Sequence, residues 1–269
     1  MRGMTAATVD ELLTRELRDD RTALVDATGK PFDYHWLCTS SWKAGNFLRH
    51  AGVRKGVTVG VVGDGPLALL AFFGTTLLEG RTRFEPPTEL ADDDRFRALV
   101  APVDDLESGR YDLPAGAQRV GYGDKPEEPD VHNFEAGIWS ENPAFPPLSI
   151  EPDTDLLTDG DRTLTHDEAL AAARDVIDEY GLETEDRVVV HEPLSDPWAV
   201  VAGVLAPLLA EGVIVLGSGA EPATGEADDG DDRDDRLDGH DGRGAYAVSN
   251  APDVPEPNRI APDGLSSRR

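Results

Sequence analysis

The spacing of apolar positions changes several times along the chain, and each change predicts an element. Thr8-Val9-Asp10-Glu11 has the spacing of a capping box ahead of Leu12, Leu13 and Leu17, which predicts a helix start. A short strand is predicted at Ala23–Val25. A turn over Asp26-Ala-Thr-Gly-Lys30 then leads into Pro31-Phe-Asp-Tyr34. Helical spacing runs from about His35 to His50, with Gly52 in the position of a C-terminal cap. Val57–Val62 is a continuous apolar run, the pattern of a strand buried on both faces. Pro66 to Glu79 predicts a packed helix entered through its proline and ended by Gly80. Further strands are predicted at Phe96–Val103 and Arg119–Tyr122.

The second half repeats this order. A helix is predicted from Leu164-Thr165-His166 to Tyr180, ended by Gly181, with a strand after it at Arg187–His191. An apolar helix from Pro197 to Ala210, ended by Gly212, precedes a strand at Val213–Leu216. Gly52 matches Gly181, Val59 matches Val188, Pro66 matches Pro197 and Gly80 matches Gly212, all at nearly constant offset. The expected fold is therefore α/β, with two duplicated βαβ-type subdomains and mainly parallel sheets. One domain is expected over residues 1–216, with subdomains at about 1–125 and 150–216. Residues 217–244 hold charge and almost no apolar side chains, which predicts a disordered acidic linker. Residues 245–269 read as a short tail with room for one strand.

Composition changes the picture in one respect. Among 269 residues, Asp and Glu number 53 against 25 Lys and Arg, giving a net charge of -28. The only lysines are Lys30, Lys43, Lys55 and Lys125. Self-repulsion of this size opposes compaction. At molar salt the screening length falls to about 3 Å and the repulsion is damped. The charge thus predicts a protein adapted to high salt in a cytoplasm. It disfavours nucleic acid and anionic membrane as partners, because both need basic patches. Cys38 is the only cysteine, so no disulfide can form within the chain, which fits a reducing interior. No apolar run reaches the ~18 residues of a membrane span.

Several short motifs, taken in order, resemble the N-terminal domain of the adenylate-forming superfamily of acyl-CoA synthetases, luciferases and peptide-synthetase adenylation domains. Ala23-Leu-Val-Asp26 and Phe32-Asp-Tyr34 are similar to that family's opening "ALV-D … LTY". Ala51-Gly-Val-Arg-Lys-Gly-Val-Thr-Val-Gly-Val-Val62 resembles its "LG(V)KKGDRV" strand entry. Leu164-Thr-His166 resembles "LTH", and Asp186-Arg-Val-Val-Val-His-Glu-Pro-Leu-Ser195 resembles "DRVL-PLFH". The resemblance covers about residues 8–85 and 150–217 and implies that family's layered fold.

It also implies where nucleotide chemistry would sit, and there the sequence departs. The family's phosphate loop is rich in Ser, Thr and Gly and ends in Pro-Lys-Gly. The matching stretch here is Leu157-Thr-Asp-Gly-Asp-Arg-Thr163, shorter, without lysine and with two aspartates. An acid about 4 Å from a phosphate charge costs roughly 4 kcal/mol at an effective dielectric near 20. Thr158, Gly160 and Arg162 are the candidate remnants of a binding loop; a tight Asp-Gly β-turn is the competing structural reading. No counterpart of the family's Tyr-Gly-x-Thr-Glu or Thr-Gly-Asp segments occurs in this sequence, nor of the lysine carried by its C-terminal domain. The expectation is a non-catalytic protein without a cofactor, acting by binding a small molecule or a partner, either a full-length acyl-CoA synthetase or a second copy of itself. The alternative is an AMP-forming acyl-CoA ligase, or a ligase subunit completed by a second chain.

Other constellations are better explained by structure. His191, Ser195 and Asp196 lack the G-x-S-x-G elbow of a hydrolase. Gly63-Asp-Gly-Pro66 lacks the third glycine of a dinucleotide loop and reads as a strand-to-helix turn. The six histidines show no metal spacing. Trp36 and Trp42 stand six residues apart and do not share a helix face. The charge argument has a direct test: circular dichroism across a KCl series should show helix content and melting temperature rising from dilute buffer to molar salt. A flat response would remove the salt-adaptation reading.

Overall fold

The computed structural model describes residues 5–217 and 245–266. The chain enters through two short 3₁₀ segments, Val9–Leu13 and Arg15–Leu17. Thr8 makes no side-chain cap, so the expected capping box is absent there. The hairpin β1 (Thr22–Val25) and β2 (Pro31–Asp33) leads into α1 (Tyr34–His50), capped by Asp33 through Trp36 N–H. Then come β3 (Thr58–Val61), α2 (Pro66–Thr76), β4 (Arg81–Phe84), β5 (Phe96–Pro102), α3 (Val103–Glu107), β6 (Gln118–Tyr122), β7 (Val131–Asn133) and α4 (Phe134–Ser140).

A second hairpin, β8 (Asp155–Thr158) and β9 (Thr163–Thr165), opens the same order again. It leads to α5 (His166–Tyr180), and here the capping box is real, with Thr165 and Glu168 holding each other's backbone N–H. β10 (Arg187–Val190) follows, then α6 (Pro197–Val200), a π-helical turn (Val201–Leu205), α7 (Ala206–Leu209) and β11 (Val213–Leu216). The π turn has a local cause. Pro207 cannot donate, and a proline ring clashes with the carbonyl four residues back in a regular helix. The widened turn, in which Ala206 N–H reaches Val201 O, relieves that clash just ahead of Pro207.

The strands form two mainly parallel sheets, so the fold is α/β and layered. One sheet has the order β7-β6-β5-β3-β4-β8-β9, and the other has β12 (Tyr246–Val248) and β13 (Asn258–Ile260) in the order β13-β12-β10-β11-β1-β2. All pairings are parallel except within the two hairpins, β1–β2 and β8–β9. β3 and β10 hold equivalent places, each flanked by the next strand on one side and a later one on the other.

The sheets do not follow the sequence division at about residues 125 and 150. The first hairpin joins the late strands through β1 and β11, while the second joins the early strands through β4 and β8. The 17-residue α1 explains the exchange. At 1.5 Å per residue it carries the chain about 25 Å, from one sheet to the other, before β3 begins. The tail also differs from expectation, since β12 and β13 are both strands and α8 (Pro262–Ser266) follows them. β13 escapes a sequence reading because Ile260 is its one apolar residue. From residue 218 on, the expected acidic linker lies outside the described residues.

One apolar core joins the two sheets through α1, α2, α5 and the helix from residue 197 to 209. The strands alternate. Leu24, Val188 and Ile214 point to this core, whereas Val25, Val189, Val213 and Val215 form a small cluster on the opposite face of their sheet. α1 and α2 cross closely at Gly45 and Gly74. A Cβ on Gly74 would stand 2.8 Å from Gly45 N and 2.9 Å from the Ala44 carbonyl carbon. Backbone atoms cannot rotate aside, so Gly74→Ala should destabilise the fold by about 1–3 kcal/mol despite alanine's better helix propensity. Gly264→Ala, where a Cβ meets nothing within 4 Å, is the control and should be near neutral. Denaturant titration of the two variants in high KCl reads the difference.

Candidate active site

The sequence-predicted residues Thr158, Gly160 and Arg162 all lie in the β8–β9 hairpin, and the turn uses them internally. Asp159 N–H donates to Arg162 O at 3.2 Å. The Asp159 carboxylate accepts from Asp161 N–H at 2.9 Å and Arg162 N–H at 2.7 Å. Thr158 Oγ1 accepts from Gly160 N–H at 3.1 Å and donates to Arg162 O at 2.8 Å. Each backbone N–H from Asp159 to Arg162 therefore has a partner inside the turn. An anion-binding nest needs those groups free and convergent. Here the Asp159 carboxylate already accepts from two of the turn's N–H groups.

The first hairpin is built the same way. The Asp26 carboxylate accepts from Thr28 N–H at 2.9 Å, Lys30 N–H at 3.0 Å and Thr28 Oγ1 at 2.6 Å. The two aspartates stand at equivalent points of the duplicated unit. An aspartate-centred turn thus recurs in both hairpins, although only the second carries Asp-Gly.

Beside the second hairpin, a cleft of about 190 Å³ opens at the carboxyl ends of β10 and β11, and Asp64 reaches it from the β3–α2 turn of the other sheet. Parallel α/β sheets bind ligands at this end of their strands. The lining is acidic. His191 Nε2 lies 3.1 Å from the buried carboxylate of Glu256. Glu192 accepts from Asn250 N–H at 2.6 Å, which ties it to the loop after β12. Asp196, which caps Trp198 N–H, has its carboxyl pushed up by burial, with the charges of Asp263, Glu192 and Asp159 adding to the shift. His191 and Asp196 thus have separate partners and form no relay. Gly63 takes a positive φ, and its N–H donates to Glu85 at 2.7 Å in a plain strand-to-helix turn. Among the described residues, no group of three or more His, Cys, Asp or Glu is placed to hold a metal ion.

Compared by sequence, the chain matches no family model and no curated protein. Compared by structure, it superposes on an anthranilate CoA ligase, AuaEII, solved with anthranoyl-AMP, with a TM-score of 0.68 at 20% identity over 79% of this chain. The N-terminal domain of FACL13 from Mycobacterium tuberculosis gives 0.65 at 14% identity over 81%, and MatB from Rhodopseudomonas palustris gives 0.61 at 15% over 78%. The fold is that of the adenylate-forming ligases. The chain spans 45%, 58% and 44% of those three proteins respectively, so it corresponds to a part of the ligase architecture.

Within the adenylate-forming fold, two features of the hairpin were invisible in sequence. The Arg83 guanidinium, from β4, fills the space that a Cβ on Gly160 would need, and Gly160 also has a φ of +106° that favours glycine. Arg162 extends the other way, over the Trp198 ring at 5.3 Å. No local signal links Arg83 to a turn 77 positions later; only the β4–β8 pairing brings them together. His166, of the "LTH" segment, faces the core. Its Nδ1 accepts from Val9 N–H at 3.0 Å and ties the N-terminal arm to the second hairpin.

Burial depresses the His166 imidazole from 6.5 to about 4. The unfolded chain then binds a proton between those values that the folded chain does not. The corresponding stability is fully present above about pH 6.5 and is lost as pH falls towards 4, in total about 3 kcal/mol. His166→Asn keeps an acceptor for Val9 N–H but cannot titrate. Denaturant titrations at several pH values in this window should give a shallower loss of stability for the variant than for the native chain. Parallel pH profiles would show that His166 is not the source.

Proposed function

We propose that this chain is a non-catalytic acyl-CoA synthetase-like protein that works by binding a partner or a small molecule and does not form acyl-adenylates. The closed hairpin turn carries this reading. Its N–H groups are already bound to Thr158, Asp159 and Arg162, so a triphosphate would have to break several hydrogen bonds and displace a fixed carboxylate. The neighbouring cleft adds to the case. It presents Asp64 and Glu192 to any anion, and its volume of about 190 Å³ lies below the ~300–1,000 Å³ usual for small-molecule sites. Phosphoryl-type chemistry depends on preorganised positive charge, and this cleft has the opposite sign.

A partner of the same architecture, either a full-length acyl-CoA synthetase or a second copy of this chain, fits an element that spans about half of its structural relatives. A salt-rich cytoplasm is the setting that best suits a net charge of -28. Among the described residues no helix is long and apolar enough to cross a membrane. One observation favours a second reading, a ligase subunit completed by another chain. Two guanidinium groups, Arg83 and Arg162, flank the turn and would partly offset Asp159 and Asp161.

Pyrophosphate exchange separates the two. With ATP, Mg²⁺ and a panel of short and long carboxylic acids in high KCl, the isolated chain should show no exchange above a heat-killed control. Exchange would overturn the non-catalytic reading. In that case Arg83→Ala and Arg162→Ala should each reduce it.

A further inference from the structure

A larger groove lies away from the acidic cleft. It has a volume of about 750 Å³, inside the ordinary range for small-molecule sites, and runs between β2, α1, the start of α2 and α4. Its walls are aromatic and aliphatic. Phe32 and Trp36 pack with ring centroids 4.2 Å apart, Leu67 and Ile138 contribute apolar surface, and Trp139 closes one rim. Trp139 is 83% exposed, the only large apolar side chain among the described residues left open to this degree.

The charges in the groove have an unusual arrangement. Lys30 and Lys43, two of only four lysines in a chain of net charge -28, both line it. Lys30 Nζ lies 5.0 Å from the Phe32 ring centroid, and Lys43 Nζ lies 5.9 Å from that of Trp139. Among the described residues, neither lysine has a carboxylate within ion-pairing distance, whereas Lys55 is paired with Glu79. The two acids in the groove are turned to backbone amides. Asp33 accepts from Trp36 N–H at 2.6 Å, and Glu135 accepts from Gly123 N–H at 2.9 Å. The groove therefore presents ring faces together with two ammonium groups that form no direct ion pair, while the nearby carboxylates of Asp26, Asp33 and Glu135 are hydrogen-bonded to backbone amides.

We propose that this groove is a binding site for a small planar aromatic anion, its ring stacked among Phe32, Trp36 and Trp139 and its negative group held by Lys30 and Lys43. A neutral apolar ligand would use the walls and leave the lysines idle. A cation would meet Asp33 and Glu135, whose carboxylates are already hydrogen-bonded to backbone amides, while Lys30 and Lys43 would stay without a partner. The proposal locates the binding half of the non-catalytic reading, and it rests on none of the residues that decide adenylation. A chain that failed the exchange test could still bind here, and one that passed it could fail to.

The probes are naphthalene-2-sulfonate and its neutral amide, naphthalene-2-sulfonamide, which share a ring and differ in charge. Tryptophan fluorescence is titrated with each, in the lowest KCl at which circular dichroism is that of the folded chain. The sulfonate should quench saturably and bind at least about fivefold more tightly than the amide, a gap that narrows as KCl rises. Lys30→Gln with Lys43→Gln should erase the gap and leave amide binding in place. Lys30→Arg with Lys43→Arg should preserve it. Trp139→Ala, at an exposed position that the core does not need, should weaken both probes. Lack of saturable quenching, equal affinity for the two probes, or sulfonate binding indifferent to the glutamine substitutions in a chain of native circular dichroism would each overturn the proposal.

Discussion

Two helices without a polar face set the terms of this structure. Pro66–Thr76 is buried from Ala68 onward, and the stretch from Pro197 to Leu209 is buried throughout. An amphipathic helix can rest on a sheet with one side in water, but these cannot. Each must be enclosed by a sheet and further helices, at about 25 cal/mol for every Å² of apolar surface removed from water. The two sheets, the long α1 and the amphipathic α5 together provide that enclosure. The Gly45–Gly74 crossing, where α1 and α2 meet almost backbone to backbone, lets the first of these helices be covered without a gap. α1, which connects a hairpin in one sheet to β3 in the other, packs against α2 on the way.

The enclosure also decides where chemistry can occur. Parallel strands aim their carboxyl ends at one side, and the loops there hold His191, Glu192, Gly217 and Asp64. Asp64 and Glu192 line the cleft, and in the turn between β8 and β9 the Asp159 carboxylate accepts from the turn's own amides. The Asp26 turn of the first hairpin explains how such a turn stays folded without a ligand. An aspartate accepting from the turn's own amides satisfies groups that would otherwise be left unpaired. Two of the four lysines, Lys30 and Lys43, stand instead in the groove beside α1, each close to an aromatic ring.

Much of this was present in the local pattern of the chain. The 3.6-residue period of α1 and α5, the unbroken apolar runs of β3, β10 and β11, and the matched glycine and proline punctuation each report a choice made within a few residues by backbone geometry and burial. The Asp-Gly turn is local for the same reason. Even so, one local motif misled. Thr8–Glu11 and Thr165–Glu168 have the same spacing, yet only the second caps an α-helix. Fifteen residues of helical period follow Thr165, while the run after Thr8 breaks at Thr14 into two 3₁₀ turns, too short to reward the nucleation cost of a helix.

By itself, then, the sequence determined the fold class, the repeat, the principal helices and the acidic surface, because each of these depends on neighbours along the chain. Tertiary structure alone decided which sheet each hairpin joins, since valine-rich strands from either half present the same apolar edge and only the crossing of α1 distinguishes them. It also decided that β13 is a strand although it brings a single apolar residue, by offering β12 as a template. It set Arg83 against Gly160 across 77 positions. Finally, it set Lys30, Trp36, Lys43 and Trp139, drawn from a turn and two helices, around one groove. Those juxtapositions depend on packing between distant segments, and no periodicity in a single sequence records it.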